Sequence, residues 1–86
     1  MVSYRVLIER EAQRYLRKAD PMVRRRLMAA IDALATEPRP SGCKPLTGYS
    51  GTYRLRVGAY RVLYEVVDAE LVIYIIEVGP RGDIYK

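Results

Sequence analysis

The sequence predicts an α+β fold in which an N-terminal helical hairpin packs on one face of a mainly antiparallel four-stranded sheet, in the order β-α-α-β-β-β. Two patterns predict this class. Apolar residues recur at helical spacing in the first half of the chain and alternate at period two in the second half, with a segment rich in proline and glycine between them. Because the chain has 86 residues, of which 50% are hydrophobic, we expect a single domain over residues 1–86.

The first half of the chain predicts one strand and two helices. Residues 2–8 are rich in β-branched side chains and predict a strand, and residues 9–18 have the apolar spacing of a short helix. Asp20 and Pro21 predict the start of a second helix, since an aspartate can cap free amides and a proline in the first turn loses no hydrogen bond. This helix is expected to continue to about Thr36.

The second half of the chain predicts a loop and an antiparallel meander. Prolines and glycines recur throughout residues 37–51, which therefore predict a loop. The predicted strands are residues 52–57, 60–67 and 71–78, and tight turns connect them. The pattern leaves open where the first strand joins the sheet.

Arginines on one face of two adjacent strands are the main functional signal. Arg54 and Arg56 alternate with apolar residues on the first strand, and Arg61 belongs to the corresponding face of the next one. We expect this face to be left open by the helices. Its arginines either lie on a solvated surface, with a cross-strand partner such as Glu65, or bind an anion.

Composition supports an anionic partner and excludes several kinds of chemistry. Lysine and arginine number 15 against 10 aspartates and glutamates, a net charge of +5, and a small basic domain attracts nucleic acid. Histidine is absent and cysteine occurs once, so we expect neither His-based catalysis nor a metal site of the usual kind, and no cofactor. No apolar run is long enough to span a membrane, and the lone Cys43 fits a reducing cytoplasm.

Further candidates lie in the loop, in the second helix and near the C-terminus. If the C-terminal residues fold back along the sheet, Arg81 and Tyr85 approach the arginine face, where cations can stabilise a phosphorane-like transition state and a phenol can relay a proton. Lys44 adds a loop cation, and Tyr49 is a candidate platform for stacking an RNA base. The run Arg24-Arg25-Arg26 predicts a solvated helix face.

Three motifs together resemble the RelE/ParE superfamily of toxins. They are Lys44-Pro45-Leu46-x-Gly48, the segment YRLRVGxYRVxY at residues 53–64, and Val78-Gly79-x-Arg81 followed by Tyr85. The resemblance covers essentially the whole chain and implies the RelE branch, whose members are mRNA interferases that cut the codon in the ribosomal A site. These enzymes use the 2′-hydroxyl of the RNA as nucleophile and need no metal.

The resemblance also implies roles for individual residues. Arg61 and Arg81 match arginines that hold and polarise the scissile phosphate, and Tyr85 matches a tyrosine that stacks on the substrate base or transfers a proton. Arg54 and Arg56 occupy positions where well-studied members of the family have lysines. Because arginine does not readily lose a proton, more of the acid–base work would fall to Tyr85. Lys44 and Tyr49 are expected to contact RNA.

The implied partners are mRNA, the ribosome and a small RelB-like antitoxin that masks or distorts this face. Two alternatives remain at this point. One is a ParE-like inhibitor of DNA gyrase without nuclease activity, and the other is an inactive relative that binds RNA and leaves it whole.

Overall fold

The computed structural model describes residues 3–80, which form two helices and a mixed five-stranded sheet. The elements are β1 (Arg5–Ile8), α1 (Arg10–Lys18), α2 (Pro21–Ala33), β2 (Lys44–Pro45), β3 (Thr52–Val57), β4 (Tyr60–Val67) and β5 (Val72–Pro80). The order across the sheet is β1-β5-β4-β3-β2. None of the helices within the described range is long and apolar enough to cross a membrane.

The predicted class is confirmed, and the predicted strand count is corrected from four to five. The additional strand, β2, pairs antiparallel with β3 inside the segment predicted as a loop. Two residues are too few to show alternation, and Pro45 is tolerated because β2 lies at the edge of the sheet. The first strand, β1, joins the opposite edge and runs parallel to β5. The connection between these two parallel strands is long, as parallel pairing requires, and contains the helical hairpin and β2, β3 and β4.

Three predicted boundaries also differ from the structure. The first strand begins at Arg5, so residues 3 and 4 are not part of it as predicted. The second helix ends at Ala33 and not near Thr36. The last strand covers Val72–Pro80 and not residues 71–78, because Leu71 adopts a left-handed conformation with φ of 55° and cannot belong to a strand.

The hydrophobic core lies between the helices and one face of the sheet. Leu16 of α1 and Leu27 of α2 are buried against sheet residues that include Tyr64, Ile73 and Ile75. Burying a side chain of this size contributes about 1.5–3 kcal/mol. The core therefore uses one face of the sheet, and the residues that alternate with it occupy the opposite face.

The helical hairpin is held by residues at its turn. The Asp20 carboxylate accepts a hydrogen bond from the Met22 amide at 3.1 Å, as expected of a helix cap. The Arg24 guanidinium reaches back to the end of α1 and donates to the carbonyl oxygens of Leu16, Arg17 and Ala19 at 2.8, 3.1 and 3.0 Å. Its half-buried side chain therefore corrects the prediction that the whole run 24–26 is a solvated face. These carbonyls lie at the helix C-terminus, where a cation is favourable.

Candidate nucleic-acid interface

The strand register brings the predicted cations of three strands onto one face. Arg56 of β3 is the direct cross-strand partner of Arg61 of β4, and Arg54 pairs with Leu63. On the other side of β3, Lys44 pairs with Arg54. Because directly opposite residues point to the same side of a sheet, Lys44, Arg54, Arg56 and Arg61 share the face that is turned away from the helices.

Three of these cations line one concavity. A cavity of about 340 Å³ is bounded by Gly42, Lys44, Arg54 and Arg56. Lys44 and Arg56 are exposed, whereas Arg54 is half-buried. Gly42 has a φ of 95°, a conformation that other residues rarely adopt, and this lets the chain turn directly before Lys44. A concave surface lined by one sign of charge concentrates anions, and its size suits a phosphate group with its neighbouring sugar.

Arg61 is buried, although the sequence predicted that it lies on an open face. Its exposed fraction is only 2%. It belongs to the central part of the sheet, where Arg56 is its partner on one side and Gly79, which has no side chain, is its partner on the other. The missing side chain leaves room for the guanidinium. Burial holds the arginine in place and strengthens its electrostatic interactions, because the surroundings screen charge less than water does.

The register separates the three arginines in their relation to Glu65. Glu65 lies opposite Thr52 on β3 and opposite Tyr74 on β5, so it directly faces none of them. It is the diagonal neighbour of Arg54, which leaves that cross-strand pair open, whereas Arg56 and Arg61 lie farther along the strands.

Tyr49 is well exposed but is not part of the cavity. Its side chain is 65% exposed, and it lies at the tip of the hairpin that connects β2 to β3. The tip closes with hydrogen bonds from the amide of Leu46 to the carbonyl of Thr52 at 2.8 Å and from the amide of Tyr49 to the carbonyl of Leu46 at 3.2 Å. Arg56 follows Thr52 by four strand residues, a distance of roughly 13 Å. Tyr49 therefore lies at the end of the cationic face that is away from Arg56.

Arg81 and Tyr85 lie outside the described residues. β5 ends at Pro80, which is paired with Tyr60, and the preceding Gly79 is paired with Arg61. In the sequence, Arg81 follows Pro80 directly. The convergence of Arg81 and Tyr85 with Arg61 therefore stays a prediction.

A larger groove elsewhere on the molecule is lined by more acidic than basic side chains. It measures about 890 Å³, lies between α1 and β5, and contains none of the predicted site residues. Its charged lining comprises Glu9, Glu11, Arg14, Lys18, Asp20 and Glu77. With more carboxylates than cations, this groove does not suit an anion.

Sequence reasoning missed a polar cluster that connects the segment before β2 to β3 and to the turn after β4. Arg39 forms an ion pair with Asp68 at 2.7 Å and donates from Nε to the Tyr53 hydroxyl at 2.9 Å. The Arg39 hydrogen bond, followed by one from Tyr4, holds the pKa of Asp68 below its usual value. Nearby, the Tyr64 hydroxyl donates to the carbonyl of Pro38 at 2.8 Å. Arg39 and Asp68 are 29 positions apart, and no local pattern connects them.

A helical hairpin on one face of a mixed sheet, with cations clustered on the other, can be compared with known proteins. The family model described as "ParE toxin of type II toxin-antitoxin system, parDE" matches residues 6–85. Toxin RelG of Mycobacterium tuberculosis is 35% identical over 91 residues, covering 99% of both chains. The mRNA interferase toxin RelE of Escherichia coli K12 is 30% identical over 82 residues, covering 93% of this chain and 85% of the relative.

Solved structures agree with these sequence relatives. The archaeal RelE–RelB complex from Pyrococcus horikoshii has a toxin fold that superimposes with a TM-score of 0.84 at 33% identity, covering 95% of this chain and 99% of that one. The isolated Escherichia coli RelE toxin superimposes with a TM-score of 0.80 at 28% identity, covering 96% of this chain and 92% of that one. The chain belongs to the RelE/ParE toxin superfamily and to its RelE-like branch.

Proposed function

We propose that this protein is the toxin of a type II toxin–antitoxin system and that it cleaves mRNA in the ribosomal A site. The observation that carries the proposal is the cavity lined by Lys44, Arg54 and Arg56, with Arg61 directly opposite Arg56. This arrangement provides a place for an RNA phosphate between cations of three strands. The RelE relatives, one of them named an mRNA interferase, support the same activity.

The proposed reaction is a metal-independent attack of the RNA on its own backbone. The 2′-oxygen forms a bond to the adjacent phosphorus and the bond to the 5′-oxygen breaks, which leaves a 2′,3′-cyclic phosphate and a free 5′-hydroxyl. One proton leaves the 2′-hydroxyl and one proton is delivered to the departing 5′-oxygen. The phosphoryl oxygens gain negative charge in the transition state, and positioned cations lower the free energy of that state.

The arginines and the tyrosine have different proposed roles because their side chains differ in chemistry. Arg61 and Arg81 hold and polarise the phosphate, and Arg54 and Arg56 stabilise the developing charge. Guanidinium groups keep their protons because their pKa exceeds ~12, so arginine is suited to charge stabilisation and not to proton transfer. Tyr85 is the remaining candidate for moving a proton. It can do so when neighbouring cations lower the pKa of its phenol.

RNA binding extends beyond the reacting phosphate. Lys44, Arg54 and Arg56 contact phosphates in and around the cavity, and these contacts fix the position of the strand. Tyr49 stacks on a base farther along the RNA, which suits its exposed position at the hairpin tip. Stacking tolerates any base, so this contact adds affinity with little sequence preference.

The proposed partners are the ribosome, mRNA and a RelB-like antitoxin, all in the cytoplasm. The Pyrococcus horikoshii relative was solved as a complex with RelB, and so was a relative from Mycobacterium tuberculosis. An antitoxin that covers or distorts the cationic face would prevent access of RNA.

The test is incubation of the purified protein in a translation extract, followed by mapping of the 5′ ends of the mRNA. We expect cuts within A-site codons that appear only when ribosomes are present. Arg61→Gln and Arg81→Ala should remove these cuts while the proteins stay folded. Unchanged cutting by either variant, or mRNA that stays whole with the wild-type protein, would contradict the proposal.

Inhibition of DNA gyrase is the second candidate, favoured by the ParE description of the matching family model. A supercoiling assay with purified gyrase separates the two activities. The nuclease proposal expects supercoiling to continue and mRNA to be cut. Inhibited supercoiling with intact mRNA would support the gyrase alternative.

A further inference from the structure

We propose that Arg39 is a positioning residue that sets Gly42 and Lys44 in the cationic cavity. It acts through residues 38–43, here called the 38–43 strap, which connects the end of the helical hairpin to β2. The inference rests on the proposed function, because it assigns a role in binding RNA phosphate to a residue that lies outside the cavity.

The Arg39 guanidinium makes an unusual number of directed contacts for a surface group. Its Nη1 and Nη2 atoms donate to the two carboxylate oxygens of Asp68 at 3.4 and 2.7 Å. Its Nε atom donates to the Tyr53 hydroxyl at 2.9 Å, and its central carbon lies 5.3 Å from the centre of the Tyr53 ring. A planar guanidinium whose three nitrogens all donate hydrogen bonds, and which also lies near an aromatic ring, is restricted to one orientation.

The partners of Arg39 are themselves fixed. Tyr4, which directly precedes β1, donates from its hydroxyl to Asp68 at 2.6 Å. The Tyr53 ring stacks on the Tyr64 ring with their centres 5.8 Å apart. Tyr64 is fully buried in the core. Arg39 therefore connects the strap to Tyr53, which packs on the core, and to Asp68, in the turn that follows β4.

The strap has further attachments on both sides of Arg39. The Tyr64 hydroxyl donates to the carbonyl of Pro38 at 2.8 Å. At the other end, the amide of Cys43 donates to the carbonyl of Pro40 at 3.1 Å, which closes a turn. Burial, followed by a hydrogen bond with Cys43, raises the pKa of Tyr64, so the phenol keeps its proton and remains a donor. The turn contains Gly42, which lines the cavity.

The strap matters for Lys44 because β2 is too short to hold its own position. It contributes only Lys44 and Pro45, paired with Arg54 and Tyr53. Tyr53 is thus the cross-strand partner of Pro45 and also the acceptor of the Arg39 Nε hydrogen bond. The same tyrosine therefore meets the chain before Lys44, at Arg39, and directly after it, at Pro45. Substitution of Arg39 removes the first of these two connections.

The Arg39–Asp68 pair is better suited to positioning than to global stability. The two side chains are 41% and 57% exposed, and exposed ion pairs contribute little to the free energy of unfolding. Removal of the pair should therefore leave the protein folded and shift the strap. An effect on phosphate binding can then be measured in a folded protein.

The experiment is a titration of the ¹⁵N-labelled, full-length protein with inorganic phosphate, followed at the amide resonances of Gly42, Lys44 and Arg54. We expect Arg39→Lys, which keeps the charge and loses the fork, to weaken phosphate binding by about 3-fold or more. Asp68→Asn should have a similar effect. Arg25→Gln removes one positive charge from an exposed site on α2 and is the matched control, with a change of less than about 1.5-fold.

A double-mutant cycle distinguishes positioning from a purely structural role. If Arg39 acts through Lys44, then Arg39→Gln should add almost no further loss of phosphate affinity in a Lys44→Gln background. Wild-type affinity in Arg39→Lys, or a full additional loss in the double variant, would overturn the proposal. No phosphate response in the wild-type protein would overturn it together with the anion site. Phosphate binding without any mRNA cutting would instead contradict only the nuclease.

Discussion

Arg56 of β3 and Arg61 of β4 lie directly opposite each other in the sheet. The pair also differs in environment, since Arg56 is exposed and Arg61 is buried. Like charges in direct opposition destabilise a pair of strands by about 0.2–1 kcal/mol. On the proposed function, an RNA phosphate bound beside this pair would reduce the repulsion. The proposal therefore links the stability of the free protein to RNA binding, and both quantities can be measured.

Replacement of Arg56 by glutamine should stabilise the free protein and weaken its RNA binding. Without the opposing charge, we expect the free energy of unfolding in low salt to rise by about 0.2–1 kcal/mol. One lost phosphate contact should reduce the salt dependence of single-stranded RNA binding by about 0.7 in the slope of log K against log salt. Urea unfolding and fluorescence anisotropy measure the two effects.

The matched control for this variant is Arg5→Gln. Arg5 is an exposed arginine on β1, at the far edge of the same sheet. Arg5→Gln changes the net charge by the same amount and should leave the salt dependence of RNA binding unchanged. A lower stability of Arg56→Gln, with an RNA salt slope equal to that of the wild type, would refute the opposition argument.

Replacement of Arg61 by glutamine should remove transition-state stabilisation. Loss of one positioned donor to a developing oxyanion typically lowers kcat by about 10²–10³-fold, and KM should change little. The measurement is primer extension on mRNA in a translation extract. Because Arg61 is buried, thermal unfolding must accompany the assay. Arg61→Lys, which retains the charge, should recover part of the activity, and a folded Arg61→Gln protein with full activity would speak against the role.

Tyr85 can be tested by two substitutions that separate its proposed roles. Tyr85→Phe keeps the ring and loses the hydroxyl, so a phenol that transfers a proton predicts a fall in kcat and an altered pH–rate profile. Tyr85→Ala removes stacking as well and should raise KM in addition. Both are measured as cleavage of a defined mRNA in the same extract. Full activity of Tyr85→Phe would leave stacking as the only role of this residue.

Arg24 should contribute to stability and not to RNA cleavage. Its guanidinium satisfies carbonyl oxygens at the end of α1, and hydrogen bonds to charged groups contribute about 1.5–3 kcal/mol. We expect Arg24→Ala to lower the free energy of unfolding by roughly that amount. Arg25→Ala, one position along the same helix and exposed, should change it by less than about 0.5 kcal/mol. Equal effects in urea unfolding would contradict the assignment.

Because Arg39 contacts Asp68, part of the free energy of unfolding should be lost as the pH becomes acidic. The hydrogen bond from Arg39, followed by that from Tyr4, lowers the pKa of Asp68 below its ordinary 3.8. A carboxylate whose pKa is lower in the folded state stabilises the protein above its unfolded pKa, and the contribution is lost as the pH falls through the folded pKa. The difference in urea midpoint between wild type and Asp68→Asn should therefore be largest near neutral pH and vanish below the folded pKa. A difference in urea midpoint that stays constant across this pH range would contradict the coupling.

The sequence by itself determined the meander and the face on which its arginines lie. The strands predicted at residues 52–57 and 60–67 coincide with β3 and β4, and both helices start within one residue of their predicted positions. Period-two alternation and the Asp20-Pro21 cap are local signals. These signals depend only on neighbouring residues, so they can be recognised without knowing which strands pair. The positions of Arg54 and Arg56 on one face followed for the same reason.

Only the tertiary structure decided which of these residues meet and which are buried. The parallel pairing of β1 with β5 joins residues far apart in the chain, and β2 exists only because β3 offers it an edge. Arg61 is buried where β4 pairs with Gly79 of the neighbouring strand, and the contact between Arg39 and Asp68 joins the α2–β2 connection to the turn between β4 and β5. Contacts of this kind depend on register and chain path, which hydrophobic periodicity alone does not encode.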